Sequence, residues 1–262
     1  MSSLWLTADR TLNIAHQGAS DVAPPNTLAA FHRAAELGAD GVELDVHLSA
    51  DGVPVVIHDF TVDRTTNGTG RVADFPLAAL KKLDAGSRFD PAFAGERIPT
   101  LEEVFEAVGR RLLINVELKA VPRENRGLEE AVVTLVERHG LRDRVLISSF
   151  DPFALRRVRR LAPHLPLGFL YETAPLSRLA RALAGLMRGL QPEAIHPHWA
   201  QVRPPTVRRA HGRGRRVVAW TVDEPEVMRR LSEWGVDGII TNRPDRLREV
   251  LTHGGTEGSS RG

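Results

Sequence analysis

Two periods of apolar residues alternate along this chain. Short, nearly continuous apolar runs recur at 11–16, 41–47, 112–118, 144–148, 166–170, 193–196, 216–220 and 237–240, and each reads as a strand. Several are apolar throughout, as in Arg144-Val-Leu-Ile-Ser148, which suits parallel strands covered on both faces. Between the runs, apolar residues fall at helical spacing: Leu101, Val104, Phe105 and Val108; Leu155, Val158 and Leu161; Val227, Met228 and Leu231. The helix starts carry capping chemistry. Thr100 with Glu103 and Asp223 with Glu226 match the capping box, and Asp151-Pro152 sets a cap residue before a first-turn proline. Gly38 and Gly235 stand where helices close on a left-handed residue.

Eight strand–helix units in one series predict a closed (β/α)8 TIM barrel rather than an open, doubly wound sheet, and 262 residues suit one such domain. One connection is out of proportion. About fifty residues separate the second strand from the helix beginning at Thr100, where a handful is usual. This stretch holds Val53-Pro-Val-Val-Ile57, a short extra strand, and a turn-rich segment from Thr65 to Gly70. The expected organisation is a single barrel over 1–251 with an insertion at about 59–99 on its mouth, and a polar, glycine-rich, disordered tail over 252–262.

Composition removes several classes of chemistry. The chain has no cysteine, so disulfides, thiolate metal sites and cysteine nucleophiles drop out together. Apolar and charged contents of 42% and 26% are ordinary for a globular protein. The formal charge is only +2, and the basic runs Arg156–Arg160 and Arg208–Arg216 lack interleaved aromatics. They read as solvated helix surface, so no nucleic-acid partner is expected. No apolar run reaches the ~20 residues that span a bilayer, and Leu179–Leu190 is broken by arginine. The start MSSLWLTADR has no basic segment leading into an apolar one. A cytoplasmic protein without stable membrane insertion is expected.

The polar residues inside the strands carry the chemistry. Side chains two apart share a strand face, so Glu43, Asp45 and His47 project together, as do Asn115, Glu117 and Lys119 on the next barrel strand. His16 ends the first strand just before Gly18. Barrel active sites lie at C-terminal strand ends, so these groups converge at one mouth. E-x-D alone reads best as a rim pair for arginines. With Glu117 matching it on the neighbouring strand, three mutually repelling carboxylates point to a hard divalent ion such as Mg²⁺, Ca²⁺ or Mn²⁺. His16 alone would pass for a core histidine, but His58-Asp59 follows the extra strand, and two histidines beside a metal-bound phosphate supply one acid and one base. Asp59 either orients His58 or caps a turn, and His47 is expected to support the site without a catalytic role. Lys119 needs a phosphate or Glu117 as its partner if buried. Trp220, closing the seventh strand, packs either substrate or core.

Taken in order, His16-Gln-Gly18, Asn26-Thr27, Glu43-Leu-Asp45-Val46, His58-Asp59, Thr65-Thr-Asn-Gly68, Val116-Glu-Leu-Lys119, Ser149-Phe150, Trp220-Thr-Val222 and Asp237-Gly-Ile-Ile-Thr-Asn242 resemble the glycerophosphodiester phosphodiesterase family over nearly the whole chain. The resemblance implies metal-dependent hydrolysis of a small glycerophosphodiester to glycerol 3-phosphate and an alcohol. It implies one divalent ion, Mg²⁺ or Ca²⁺ (or Mn²⁺), on Glu43, Asp45 and Glu117. His16 and His58 would be acid and base, Lys119 would contact the phosphate, and the long connection would be the family's insertion. Two positions depart. Gln17 stands where the family commonly has arginine, and Pro25 where it has glutamate. Gln17 still donates hydrogen bonds and, with Lys119 and Trp220, is expected to bind substrate. Two other readings stay open: a lysophospholipase D-like activity on longer lipids, and a non-catalytic phosphate-binding barrel. The second has no use for an acid–base pair.

Overall fold

The eight apolar runs become eight parallel strands, and the extra run pairs antiparallel to the second of them. In the computed structural model, which describes residues 3–119, 127–172 and 189–253, the strands are β1 (Leu12–His16), β2 (Gly41–Leu48), β3 (Pro54–Val56), β4 (Leu113–Leu118), β5 (Val145–Ser149), β6 (Leu167–Tyr171), β7 (Ala194–Pro197), β8 (Arg216–Ala219) and β9 (Gly238–Thr241). They run in the order β1-β9-β8-β7-β6-β5-β4-β2-β3, and β1 also pairs with β2. That last pairing closes the barrel and leaves β3 outside it, antiparallel to β2.

Strand alternation sorts the side chains into two environments. On β2, Val42, Leu44 and Val46 face outward and join Phe31, Ala34, Leu101, Val104 and Phe105 in the layer between barrel and helices. The other face of β2 carries Glu43, Asp45 and His47 into the barrel. Inside the barrel, Leu12, Ile14, Leu113, Leu146, Ala194, Val218 and Ile240 fill the part nearer the N-terminal strand ends. A short first helix, α1 (Leu4–Thr7), lays Trp5 on this packing, and its indole donates to the Arg144 carbonyl at 2.8 Å. No sequence signal had marked α1.

Outside run α2 (Leu28–Glu36), α3 (Leu77–Leu80), α4 (Leu101–Val108), α5 (Leu128–His139), α6 (Pro152–Leu161), α7 (Pro204–His211), α8 (Pro225–Glu233) and α9 (Pro244–His253). Thr100 and Glu103 form the expected capping box on α4, and Asp151 caps α6 ahead of Pro152. Leu101, Val104, Phe105 and Val108 are all buried, each of the larger ones contributing about 1.5–3 kcal/mol of hydrophobic free energy. Two expectations fail here. Leu161 lies half-exposed at the end of α6 instead of packing with Leu155 and Val158. Asp223 does not cap α8. Glu224 holds that position without a side-chain bond, because the Asp223 carboxylate is spent on Thr241 and Asn242.

The chain between β3 and α4 forms a small unit with its own core of Val55, Ile57, Val62, Val72, Leu80, Ala85 and Ile98. The backbone N–H of Ile57 donates to the Asp45 carbonyl at 3.0 Å, tying this unit to β2 at the barrel mouth. The Leu179–Leu190 run falls almost wholly outside the described residues, as does the tail beyond His253, which α9 reaches past the expected limit. Among the described residues, no helix is long and apolar enough to cross a membrane. The arginines of α6 are more than solvated surface: Arg157 bonds Glu129, and Arg159 holds Glu193 in a two-pronged pair that links α6 to the start of β7.

Candidate active site

Glu43, Asp45 and Glu117 meet at the C-terminal end of the barrel, each buried, with one carboxylate oxygen apiece within 4.8 Å of the others. Asp45 and Glu117 are register partners on β2 and β4, so adjacent strands deliver them side by side. Lys119, just past the end of β4, lies between them, its Nζ 2.9 Å from Asp45 Oδ1 and 2.6 Å from Glu117 Oε1. The expected partner for Lys119 is therefore Glu117 joined by Asp45. Asn26 clasps Asp45 from the other side: its Nδ2 donates to Asp45 Oδ2 at 2.8 Å, and its Oδ1 accepts from the Asp45 backbone N–H at 3.4 Å.

One ammonium does not balance three carboxylates, and the electrostatics register the excess. Burial, then the charges of Asp45 and Glu117, push the Glu43 carboxyl well above its usual range. Burial pushes Glu117 up to about 7 against the pull of Lys119. Asp45 is also opposed by burial, but Lys119, His58 and Asn26 outweigh it and hold this carboxyl low. Burial pulls Lys119 down, and the two carboxylates more than reverse this. A buried, oxygen-only donor set with surplus negative charge fits a hard divalent cation. A second carboxylate–histidine group, Glu102, Glu106 and His139, lies on the outer helices, where Glu102 already accepts from Arg138 and His139.

Two histidines flank the carboxylates, each held through Nδ1. His16 Nδ1 lies 2.7 Å from Asn242 Oδ1, which also accepts from Ser20 at 2.7 Å. Asn242 is itself fixed by Asp223, which accepts from its side-chain Nδ2 at 2.6 Å and its backbone N–H at 2.8 Å. The donors of Asn242 thus point at Asp223, its carbonyl faces His16, and His16 carries the proton on Nδ1. Its Nε2 is left facing Glu43, 3.9 Å from Oε2. Burial holds the His16 imidazolium down, with Asp45 opposing. His58 follows β3 and sets Nδ1 2.6 Å from Asp59 Oδ1. Asp59 is gripped by Arg64 through bonds of 2.6 and 3.0 Å, which lower its carboxyl to about 2. Asp59 orients His58; this decides between the two readings of that pair. His58 lies close enough for its charge to act on Asp45, Glu117 and His16.

Gln17 and Gly18 make the turn that ends β1. Gln17 adopts φ 56° and Gly18 φ 83°; a Cβ on Gly18 would come within 2.6 Å of the Ala30 backbone, so only glycine fits. The Gln17 backbone bonds Glu43 O and Asn26 N, while its buried side chain shares a small cavity with Pro25, Asn26, His58 and Arg64. The two positions that depart from the family pattern are therefore neighbours. Trp220 is anchored by its indole N–H on the His196 carbonyl at 2.7 Å, and its ring meets Phe150 edge-on at 5.5 Å. Phe150 is 45% exposed, as is Phe60 at 46%, so aromatic surface borders the mouth. His196 is fully buried in the barrel beside Gly168, where a side chain would collide with its ring, and burial lowers it to about 3. A groove of about 900 Å³ opens at the opposite end of the barrel, where Arg10 pairs with Asp40, and Arg216 and His211 both pair with Asp237.

Asn26, Asn242, Asp223 and Arg64 support this site; sequence reasoning gave none of them a place in it and read Asp223 as a helix cap. Asn26 and Asn242 stand in the motifs carrying the family resemblance, which was the available signal. The Glycerophosphoryl diester phosphodiesterase family profile matches residues 16–246. The chain is 47% identical to the glycerophosphodiester phosphodiesterase of Caldanaerobacter subterraneus subsp. tengcongensis, over 94% of this chain and 100% of that one. It is 35% identical to a glycerophosphodiester phosphodiesterase of Bacillus subtilis, covering 94% and 88% respectively. Among solved structures it resembles an Oleispira antarctica phosphodiesterase in complex with the product sn-glycerol-3-phosphate, at TM-score 0.82 and 34% identity, over 91% of this chain and 96% of that one.

Proposed function

Because the chain belongs to the glycerophosphoryl diester phosphodiesterase family and is a phosphoric diester hydrolase, we propose that it hydrolyses glycerophosphodiesters to glycerol 3-phosphate and a free alcohol, with a divalent ion on Glu43, Asp45 and Glu117 and with His16 and His58 moving the protons. The observation that carries this reading is the buried, charge-imbalanced carboxylate trio flanked by two histidines whose Nδ1 atoms are both committed. A binding protein needs no such pair.

Mg²⁺, Ca²⁺ or Mn²⁺ bound there would polarise the phosphate and offset the charge that builds up on it. This chain's residues do the rest. Lys119 adds positive charge for the phosphate oxygens, and the Gln17 carboxamide donates a neutral hydrogen bond beside it. Orientation by Asn242 and Asp59 leaves the Nε2 atom of each histidine as its working nitrogen. One histidine takes the proton of the attacking oxygen, water or a neighbouring glycerol hydroxyl, as the new P–O bond forms. The other delivers a proton to the departing alcohol oxygen as the old P–O bond breaks. If the hydroxyl attacks, a second step adds water to the resulting cyclic phosphate and breaks its P–O bond to that hydroxyl oxygen, giving glycerol 3-phosphate. Trp220 with Phe150 forms a wall for the apolar part of the substrate. Exposed Phe150 and Phe60 also favour a second reading, in which longer lysophospholipid diesters are accepted.

A panel of glycerophosphodiesters and lysophospholipids, assayed with and without divalent ions and with products identified, tests both. Exhaustive chelation should lower turnover by ~10²-fold or more, and Mg²⁺, Mn²⁺ or Ca²⁺ should restore it with glycerol 3-phosphate as product. Full activity in a preparation shown metal-free by elemental analysis would overturn the metal assignment.

A further inference from the structure

β2 does more than carry two carboxylates. His47 follows Asp45 by two residues on the same strand face, is only 2% exposed, and points its Nε2 at the His58 carbonyl, 3.1 Å away. Its ring is also met edge-on by Phe60 at 4.8 Å and 86°. The segment leaving β3 is therefore strapped to β2 at three successive places: Ile57 through its backbone on Asp45, His58 through His47, and Phe60 through ring contact. A carbonyl only accepts, so His47 must donate, and the imidazole carries a proton on Nε2.

We propose that His47 is a positioning residue for His58, its Nε2–H fixing the His58 backbone and so the place of the His58 imidazole over the Glu43–Asp45–Glu117 cluster. Asp59 and Arg64 orient the His58 ring but leave its main chain unanchored, and the His58 side chain is 42% exposed. Without the His47 bond, the main chain here is held only to either side of His58, by Ile57 on Asp45 and by the Phe60 carbonyl, which accepts from the Val72 N–H at 3.0 Å. Displacement of about 1 Å at a reacting group costs on the order of 10²-fold in rate. An aliphatic side chain would fill the same place, as Val46 and Leu48 do beside it, without the cost of desolvating an imidazole, which at His47 is met by a hydrogen bond to the His58 carbonyl.

This inference rests on the reading of His58 as a proton-transfer group, and the test separates the two. His47→Leu, His47→Asn, His47→Gln, His58→Ala and the double variant His47→Leu/His58→Ala are assayed on glycerophosphocholine at saturating divalent ion. Glutamine places an N–H where Nε2 stands; asparagine falls one methylene short. His47→Leu and His47→Asn should lower kcat by ~10-fold or more with KM within about twofold, and His47→Gln should return kcat to within about threefold of wild type. In the His58→Ala background, His47→Leu should cost less than about twofold more, because the two act as one unit. If His47→Leu does not fold, the contrast between asparagine and glutamine decides. Near-normal kcat in His47→Leu, glutamine no better than asparagine, or an undiminished effect without the His58 ring would each overturn the proposal. Near-normal kcat in His58→Ala would instead overturn the acid–base reading, and this inference with it.

Discussion

His16 and His58 flank one carboxylate cluster but are held by unlike constructions. His16 ends a barrel strand, and its support comes from the far end of the chain, through Asn242 on to Asp223. His58 sits on the unit inserted after β3, and its support is local: Asp59 is the next residue and Arg64 is five beyond Asp59. The acceptors differ as well, a neutral amide for His16 and a carboxylate for His58. The framework arm is the less exposed, its imidazole 26% against 42%, and is closed by the barrel itself, whereas the inserted arm depends on bonds to β2. A side chain on an inserted unit thus needs its own anchors, which a strand residue inherits from the sheet.

Removing either imidazole is the harshest way to test this comparison. His16→Ala and His58→Ala should each lower kcat by ~10²-fold or more with the fold intact, as judged by circular dichroism and melting temperature. His32, on the outward helix α2, serves as the control and should behave like wild type when changed to alanine.

A smaller effect should follow from loosening the remote support. Asp223→Ala frees the Asn242 amide to turn, so His16 is no longer held with its proton on Nδ1. We expect kcat to fall ~10-fold with KM within about threefold, the pattern of a mispositioned catalyst. Unchanged kcat would show that Ser20 and the strand alone orient His16.

The framework and the inserted arm also differed in how far the sequence revealed them. Strand alternation placed Glu43, Asp45, His47 and Glu117 on one inward face, because a period of two leaves no other arrangement for polar residues in apolar strands. His58-Asp59 was legible as a pair because the two are adjacent. Asp223 was misread. Asp223 and Glu226 satisfy the capping-box spacing, yet α8 starts without a side-chain cap, and the carboxylate turns to the end of β9, where three donors wait. Local spacing cannot weigh a cap against partners brought near only by barrel closure. Asn26 was opaque for a related reason. It reaches Asp45 through a turn in which it and Gln17 both take positive φ, a conformation the neighbouring Pro25 gives no sign of. The lone helix α1 is too short for any periodic signal.

The smallest expected effect lies in stability and not in turnover. His196 is buried neutral, lowered to about 3 from the usual 6.5 of an exposed histidine. The unfolded chain therefore binds a proton more readily, so this group's share of stability is intact above about pH 6.5 and declines as pH falls toward 3. His196→Met should flatten the fall of unfolding free energy between about pH 6.5 and 4 by roughly 1 kcal/mol per pH unit relative to wild type. Denaturant unfolding at several pH values measures this, and parallel curves would show that His196 titrates alike in both states.

The division of labour between the two arms is tested most directly by changing the leaving group. Turnover of glycerophosphocholine, whose alcohol needs a proton to depart, is compared with that of the corresponding p-nitrophenyl diester, whose phenolate does not, in wild type, His16→Ala and His58→Ala. One variant should recover most of its lost kcat on the p-nitrophenyl ester, identifying the missing residue as the acid, while the other stays impaired on both substrates. Equal losses in both variants on both esters would contradict the assignment of one acid and one base to these two histidines.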